Sequence, residues 1–231
     1  MVRTITIGDI HGRDTWKRVD PEKYDRIIFL GDYVDSYSVE DGPMLANLRD
    51  IIRFKKIHPQ KVILLVGNHE ASYLFQSYRS TGYRESIARE VVFLLETNKQ
   101  LFQAAWQAGK SLWTHAGLTQ GFYEKNIRPV ILEEDKALAT TLYRLYNNNY
   151  PPIFEIGMER GGSRGNIGGP LWLDRTALLR DPLLGYHQVV GHTPVPTLYY
   201  HEPIKGDTST SVTFCDCLED GDNPFFECDI A

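Results

Sequence analysis

The sequence is poor in cysteine: three in 231 residues, Cys215, Cys217 and Cys228, all within one short stretch. An odd number in so narrow a span argues against a disulfide framework and predicts free thiols of a reducing compartment, over one bridge or a small zinc site. A zinc site would lack an evident fourth ligand. Long apolar runs are missing as well, since none approaches the roughly 18 residues that span a bilayer. Met1 to Ile7 shows no basic head, apolar core or small-residue cleavage site of a secretory signal. These absences predict a cytoplasmic protein that does not enter membranes. Positive charge is also short: the formal net charge of −5 leaves no basic footprint, which argues against long nucleic acid as a partner. There is no internal repeat. The length predicts one domain over residues 1–231, because single cores commonly reach about 250 residues before they split.

What the chain does contain is a series of short Ile- and Val-rich runs, each ending in Gly, Asp or His. Thr4 to Ile7 precedes Gly8 and Asp9. Arg26 to Leu30 precedes Gly31 and Asp32, and Val62 to Val66 precedes Gly67 and Asn68. Ser111 to Thr114 precedes His115, and Gln188 to Val190 precedes Gly191 and His192. Helical spacing lies between them: Met44, Leu45, Leu48, Ile51 and Ile52 behind Pro43; then Ile87, Val91, Val92, Leu94 and Leu95; then Ile131, Leu132, Leu138, Leu142 and Leu145. Alternating strands and helices predict an α/β fold with ligands beyond the strand ends. From Thr197 to Ile230 the pattern changes to short strands with turns at Lys205-Gly206 and Asp220-Gly221, so the architecture is mixed. The stretch from Gly157 to Pro170, rich in Gly and carrying Arg160 and Arg164, is expected to be a mobile surface loop.

Each polar strand end has a plain structural reading of its own. Asp9 and His11 could form a turn capped by the Asp, Asp32 and Asp35 could be a loop after a strand with helix capping, Asn68 could take a left-handed turn, His69 and Glu70 could begin a helix, and His115 and His192 could be satisfied core histidines. Five such ends together are explained most economically by one shared site. Carboxylate and imidazole donors without cysteine suit Mn²⁺, Fe or Zn²⁺ rather than Ca²⁺ or a structural zinc. Asp32, central in the set, is the candidate bridge between two cations.

The stretches Gly8 to Gly12 (G-D-I-H-G), Gly31 to Asp35 (G-D-Y-V-D), Gly67 to Glu70 (G-N-H-E), Thr114 to Gly117 (T-H-A-G) and Gly191 to Pro194 (G-H-T-P) occur in an order that resembles the calcineurin-like metallophosphoesterases. Within these, the chain is similar to the phosphoprotein phosphatases and the diadenosine tetraphosphate hydrolases. The resemblance implies a central two-sheet β-sandwich flanked by helices, with two divalent metal ions, Mn²⁺ foremost, at the strand ends. It implies Asp9 and His11 on one metal, Asn68, His115 and His192 on the other, Asp32 between them, and His69 as general acid oriented by Asp35. Two cations roughly 3.5–4 Å apart can hold a hydroxide that attacks phosphorus in line. The implied partner is a phosphorylated substrate: a phosphoprotein, a small phosphoester or a nucleotide.

The pattern departs from the phosphoprotein phosphatases where an Arg usually follows the second Asp of G-D-x-V-D; here that residue is Ser36. Loss of a bidentate guanidinium removes a strong anion contact. Arg175, shortly after Trp172, is the expected replacement, with Arg160 and Arg164 behind it, and Ser36→Arg is expected to restore the clamp if Tyr37 leaves room. Trp106, Trp113 and Trp172 are expected in the core, and Tyr143, Tyr146 and Tyr150 against the third helix. Hydrolysis of phosphate monoesters is the leading function. A dinucleoside polyphosphate hydrolase is the enzymatic alternative, and a non-catalytic metal-binding scaffold the alternative of another class.

Overall fold

The structure, a computed structural model, describes residues 1–75, 79–201, 208–218 and 224–230. The turns expected at Lys205-Gly206 and Asp220-Gly221 lie outside these residues. Among the described residues, ten strands form two five-stranded sheets. The first contains β1 (Val2–Ile7), β2 (Arg26–Phe29), β3 (Val62–Leu65), β4 (Phe102–Gln103) and β10 (Phe225–Ile230), in the order β10-β1-β2-β3-β4. β1 to β4 run parallel and β10 pairs antiparallel with β1. The second contains β5 (Ala105–Ala108), β6 (Ser111–Thr114), β7 (His187–Val190), β8 (Tyr199–His201) and β9 (Ser211–Phe214), in the order β5-β6-β7-β9-β8. Here β6, β7 and β9 are parallel.

The period of two along β2 assigns its faces. Ile28 and Leu30 pack with Trp113 of β6 and Val189 of β7 between the sheets, while Ile27 and Phe29 join the other core with Met44, Leu48, Ile51, Val91 and Leu95. The Trp113 indole N–H also donates across the sandwich to Thr6 Oγ1 at 2.9 Å. Helices α1 (Asp41–Ile57), α2 (Asn68–Phe75), α3 (Ala88–Thr97), the single turn α4 (Gln120–Phe122), α5 (Leu138–Asn147) and α6 (Arg175–Arg180) complete the fold. In α1 the buried Met44, Leu45, Leu48, Ile51 and Ile52 occupy one face, as their spacing requires. On the second sheet, Leu178 of α6 packs against Val190, Val212 and Phe214. The architecture is a mixed α/β two-sheet sandwich flanked by helices. No helix among the described residues is long and apolar enough to cross a membrane.

Two local expectations are corrected. The third helix begins at Leu138, so Ile131 and Leu132 precede it, at 40% and 41% exposure. The Asp135 carboxylate accepts from the Leu132 amide at 3.0 Å and from Arg144 at 2.6 Å, which stabilises a turn where a helix would have started. The Gly157 to Pro170 stretch is a loop, but not merely a surface one. Its amides bond internally, Gly162 to Gly157 at 2.9 Å and Met158 to Asn166 at 3.1 Å, and Gly168, Gly169 and Pro170 are buried.

Candidate active site

Because β1, β2 and β3 are parallel, their C-terminal ends emerge on one edge, and those of β6 and β7 emerge beside them. The loops that follow carry Asp9 and His11, Asp32 and Asp35, Asn68 and His69, His115, and His192. Four of these residues have left-handed backbones: His11 (φ 43°), Asp32 (51°), Asp35 (64°) and His192 (66°). Asn149 is the one other non-glycine in that region among the described residues. Such conformations cost about 1–3 kcal/mol each and persist where the surroundings over-determine them. Here they do: the His11 and Ile10 amides both donate to the Asp32 carbonyl, at 2.7 and 3.0 Å.

Two glycines show why the motifs read as they do. A Cβ on Gly67 would lie 2.1 Å from Asp32 Oδ1, and one on Gly191 would lie 2.0 Å from Asp9 Oδ1. Each glycine leaves the space that a carboxylate from another strand end occupies.

Asp32 is held from two sides. Its Oδ1 accepts from the His69 amide at 3.0 Å in the first turn of α2, where the helix dipole favours an anion. Its Oδ2 faces His115 Nε2 at 3.3 Å, His69 Nε2 at 3.7 Å and His11 Nε2 at 3.9 Å. Burial opposes its ionisation, but His115 and His69 outweigh it and hold the carboxyl well below its ordinary range. Asp9 shows the reverse: burial, then the neighbouring Asp216, pushes it well above that range. Both of its oxygens accept from the His192 amide, at 3.1 and 2.9 Å.

The histidine tautomers are set from behind. His11 Nδ1 lies 2.9 Å from the Val34 carbonyl and His115 Nδ1 2.9 Å from the Leu30 carbonyl, so each Nδ1 carries the proton and each Nε2 presents a lone pair inward. His115 Nε2 then stands 2.8 Å from Asn68 Oδ1 and 3.2 Å from His192 Nδ1, which is itself 2.9 Å from Asn68 Oδ1. These three atoms, with Asp32 Oδ2 3.3 Å from His115 Nε2, converge at spacings that the ligands of one cation could share. Asp32 draws His115 to about 9 against its burial, whereas burial and the neighbouring His115 push His192 well below its ordinary range. Among the described residues, two groups could hold a metal ion: His11, Asp32 and His69, and Asp32, His115 and His192.

His69 has a second attachment, Nδ1 to Asp35 Oδ2 at 2.9 Å. Burial would lower its pKa, but Asp32 and Asp35 together raise it to about 9. Sequence reasoning treated Glu70 as a helix start. The structure shows more: its buried carboxylate accepts from the amides of Tyr33 at 2.7 Å, Asp32 at 2.8 Å and Gly67 at 3.0 Å, binding the second and third strand-end loops together. Glu three residues after the helix-capping Gly67 is the available signal.

Asp9, His11, Asp32, Asn68, His69 and His192 form the floor of a cavity of about 840 Å³, whose walls include Arg13, Tyr37, Arg79, Arg160, Trp172 and Asp216. Trp113 is core, whereas Trp172, though buried, lines this cavity and meets the His192 ring edge-on at 5.8 Å. Among the three arginines considered from sequence, Arg160 lines the cavity, with Nε 3.0 Å from Asp174 and its guanidinium also on Thr193. Arg175 lies over the rings of Tyr199 and Phe214, at 4.8 and 5.3 Å, and Arg164 is exposed; neither lines it. Ser36 is 2% exposed, and its Oγ accepts from the amides of Ser38 and Val39 at 3.2 and 3.0 Å. It turns the chain and does not line the cavity.

Strand ends gather Asp, Asn and His over a two-sheet sandwich, where they could hold metal ions. Residues 2–211 match the calcineurin-like phosphoesterases, and the chain belongs to that family. A Schizosaccharomyces pombe relative whose name places it among serine/threonine-protein phosphatases is 37% identical over 79 residues, 31% of this chain and 24% of that protein. Among solved structures, the cold-active protein-tyrosine phosphatase of a psychrophilic Shewanella species superposes with a TM-score of 0.53 at 17% identity, over 94% of this chain and 72% of that one. Another structure of a cold-active protein tyrosine phosphatase gives 0.56 at 19% identity, over 94% and 70%. These two likenesses concern the fold.

Proposed function

We propose that the chain, as one domain over 1–231, hydrolyses phosphate monoesters of the serine/threonine phosphoprotein type at a centre of two divalent cations. The observation that carries this reading is the convergence of Asn68 Oδ1, His115 Nε2 and His192 Nδ1 within 3.2 Å of one another, beside Asp32 Oδ2. Asp9, His11 and Asp32 would hold one cation; Asp32, Asn68, His115 and His192 would hold the other. Carboxylate, amide and imidazole donors suit Mn²⁺, and also Fe or Zn²⁺. When bound, such ions supply Lewis-acid stabilisation of phosphoryl charge and a water acidified toward neutral pH. His69 gives the proton of Nε2 to the leaving oxygen while Nδ1 stays on Asp35, which stabilises the imidazolium beforehand. Arg160, from the cavity wall, contacts the phosphate oxygens.

The test is a panel: an aryl phosphate, a phosphoserine peptide and diadenosine tetraphosphate, each assayed after chelation and after reloading with manganese, iron(II) or zinc. Metal-dependent turnover of the first two with two ions per chain is the expected result. Much faster cleavage of diadenosine tetraphosphate would move the substrate to dinucleoside polyphosphates. No metal-dependent turnover of any of the three would leave a metal-binding scaffold.

A further inference from the structure

The Asp35 carboxylate, 1% exposed, is held by more than its histidine. Oδ2 accepts from His69 Nδ1 at 2.9 Å and from Ser80 Oγ at 3.2 Å, and Oδ1 accepts from the Tyr73 hydroxyl. Both hydroxyls are anchored in turn. The Tyr73 oxygen accepts from the Arg84 amide at 3.1 Å, and its ring stacks on Tyr83 at 4.4 Å. The Ser80 amide donates to Ser72 Oγ at 3.1 Å, whose own hydroxyl donates to the Asn68 carbonyl at 2.9 Å. Ser80 stands between Arg79 and Thr81, which line the cavity wall, while Ser80 itself is buried. The Arg84 guanidinium, meanwhile, reaches Asp41 and the carbonyls of Ser36 and Val39. The Asp35 carboxylate is thus gripped from the helix that carries His69 and from the segment that follows it.

We infer that Tyr73 and Ser80 are positioning residues for proton transfer, fixing the Asp35 carboxylate so that His69 Nε2 is aimed at the leaving oxygen. The inference rests on the reading of His69 as general acid. Neither hydroxyl bonds to Asp9, His11, Asp32, His115 or His192, so their loss acts on the proton donor and spares the metal donors. With the Tyr73 hydroxyl gone, Oδ1 loses its fixed partner and the carboxylate can rotate about its χ2, carrying the imidazole with it. Small misplacements of reacting groups cost rate steeply. The effect falls on esters whose leaving group needs a proton and spares those whose leaving group departs as a stable anion.

Tyr73→Phe, which keeps the ring and its stack, Ser80→Ala and Ser80→Thr are compared with the parent and with His69→Ala. Each is assayed for kcat and KM on p-nitrophenyl phosphate and on an alkyl phosphate, with bound metal counted by elemental analysis. General acid catalysis is commonly worth about 10²- to 10⁴-fold, so Tyr73→Phe should lower kcat on the alkyl ester about tenfold or more. On the aryl ester it should lose much less, with KM and metal content unchanged. Ser80→Ala should show the same bias more weakly, and Ser80→Thr, retaining the hydroxyl, should recover it. Equal losses on both esters, lost metal, or a parent-like kcat for both Tyr73→Phe and Ser80→Ala would overturn the inference. His69→Ala separates the two failures: a biased His69→Ala with unbiased Tyr73→Phe and Ser80→Ala sinks the positioning role alone. An unbiased His69→Ala removes the general acid itself.

Discussion

The floor of the cavity and its wall differ in how the chain builds them. Asp9, Asp32, Asn68 and His192 on the floor are buried, whereas Tyr37 and Arg79 on the wall are exposed and Arg160 is half-buried. Floor residues come from strand ends, have backbones locked by amide bonds, and sit against glycines that leave no room for a Cβ. The wall arginines come from separated segments, at 13, 79 and 160, and Arg79 and Arg160 lean on acidic partners, Glu85 at 3.1 Å and Asp174 at 3.0 Å. Buried, mutually constrained groups fix what chemistry is available. Exposed ones are less constrained, and their side chains are free to differ.

The largest expected effect lies on the floor. Asp32→Ala removes a carboxylate that caps α2 and faces three imidazoles, and metal analysis of the purified variant should find most of the metal gone. Activity should fall by about 10³-fold or more, beyond the cost of removing one preorganised stabilising group. Full metal content with parent turnover would end the bridging assignment. Just behind the floor, Ser36→Arg is a second break. The sequence suggested that it would restore a phosphate clamp, but the structure shows a buried hydroxyl engaged in a turn, its amide on Met44 Sδ at 3.4 Å. The larger side chain should destabilise the fold by about 2 kcal/mol or more and bring no gain on phosphopeptides. A parent-like melting temperature with improved phosphopeptide turnover would show that this turn can open toward the cavity.

The same contrast explains what was legible in the sequence. Gly67 before Asn68 and Gly191 before His192 were readable because close approach of a second strand end admits no other residue. The parallel strands were readable from their apolar runs, but β4 and β5 were not: Phe102–Gln103 is only two residues long, and Ala105–Ala108 carries no β-branched residue. Ile131 and Leu132 fit helical spacing, and a side-chain contact nine positions apart, Asp135 to Arg144, overrode it. Tyr73 and Ser80 left no signal, since a hydroxyl has no spacing rule and its partner Asp35 is 38 and 45 residues away. Arg175 looked like a clamp because it follows a Trp, yet two aromatic faces hold its guanidinium.

The wall is sharpened by a pair of variants. Arg160→Ala should cost roughly 1.5–3 kcal/mol in kcat/KM, as for hydrogen bonds to charged groups, with metal content unchanged. Arg175→Ala should leave kcat/KM near the parent's, its loss appearing instead as a modest drop in stability from two cation–π contacts. Steady-state kinetics and thermal melts on both decide the matter. The reverse ranking would place the phosphate contact at Arg175 and show that its ring stacking breaks when substrate binds.

The smallest effect tests whether burial itself, rather than nearness to the site, makes a polar contact matter. Arg144–Asp135 and Arg3–Glu227 are both ion pairs remote from the metal donors, but the Asp135 side chain is 2% exposed, whereas Arg3 and Glu227 are 55% and 42% exposed. The Arg144 hydrogen bonds hold the Asp135 carboxyl down to about 2. A carboxyl with a depressed folded-state pKa adds stability above its unfolded value, about 3.9, and that stability is lost as pH falls toward the folded value. Asp135→Asn should therefore lower the urea stability by on the order of 1 kcal/mol at pH 7, and the gap to the parent should narrow between pH 4 and the low end near 2. Glu227→Gln should change nothing measurable at any pH, as exposed pairs typically do. A gap for Asp135→Asn that stays constant through pH 4 to 3 would mean that its turn-capping bond to Leu132, not the charge, carries the contribution, and the contrast between buried and exposed pairs would then rest on geometry alone.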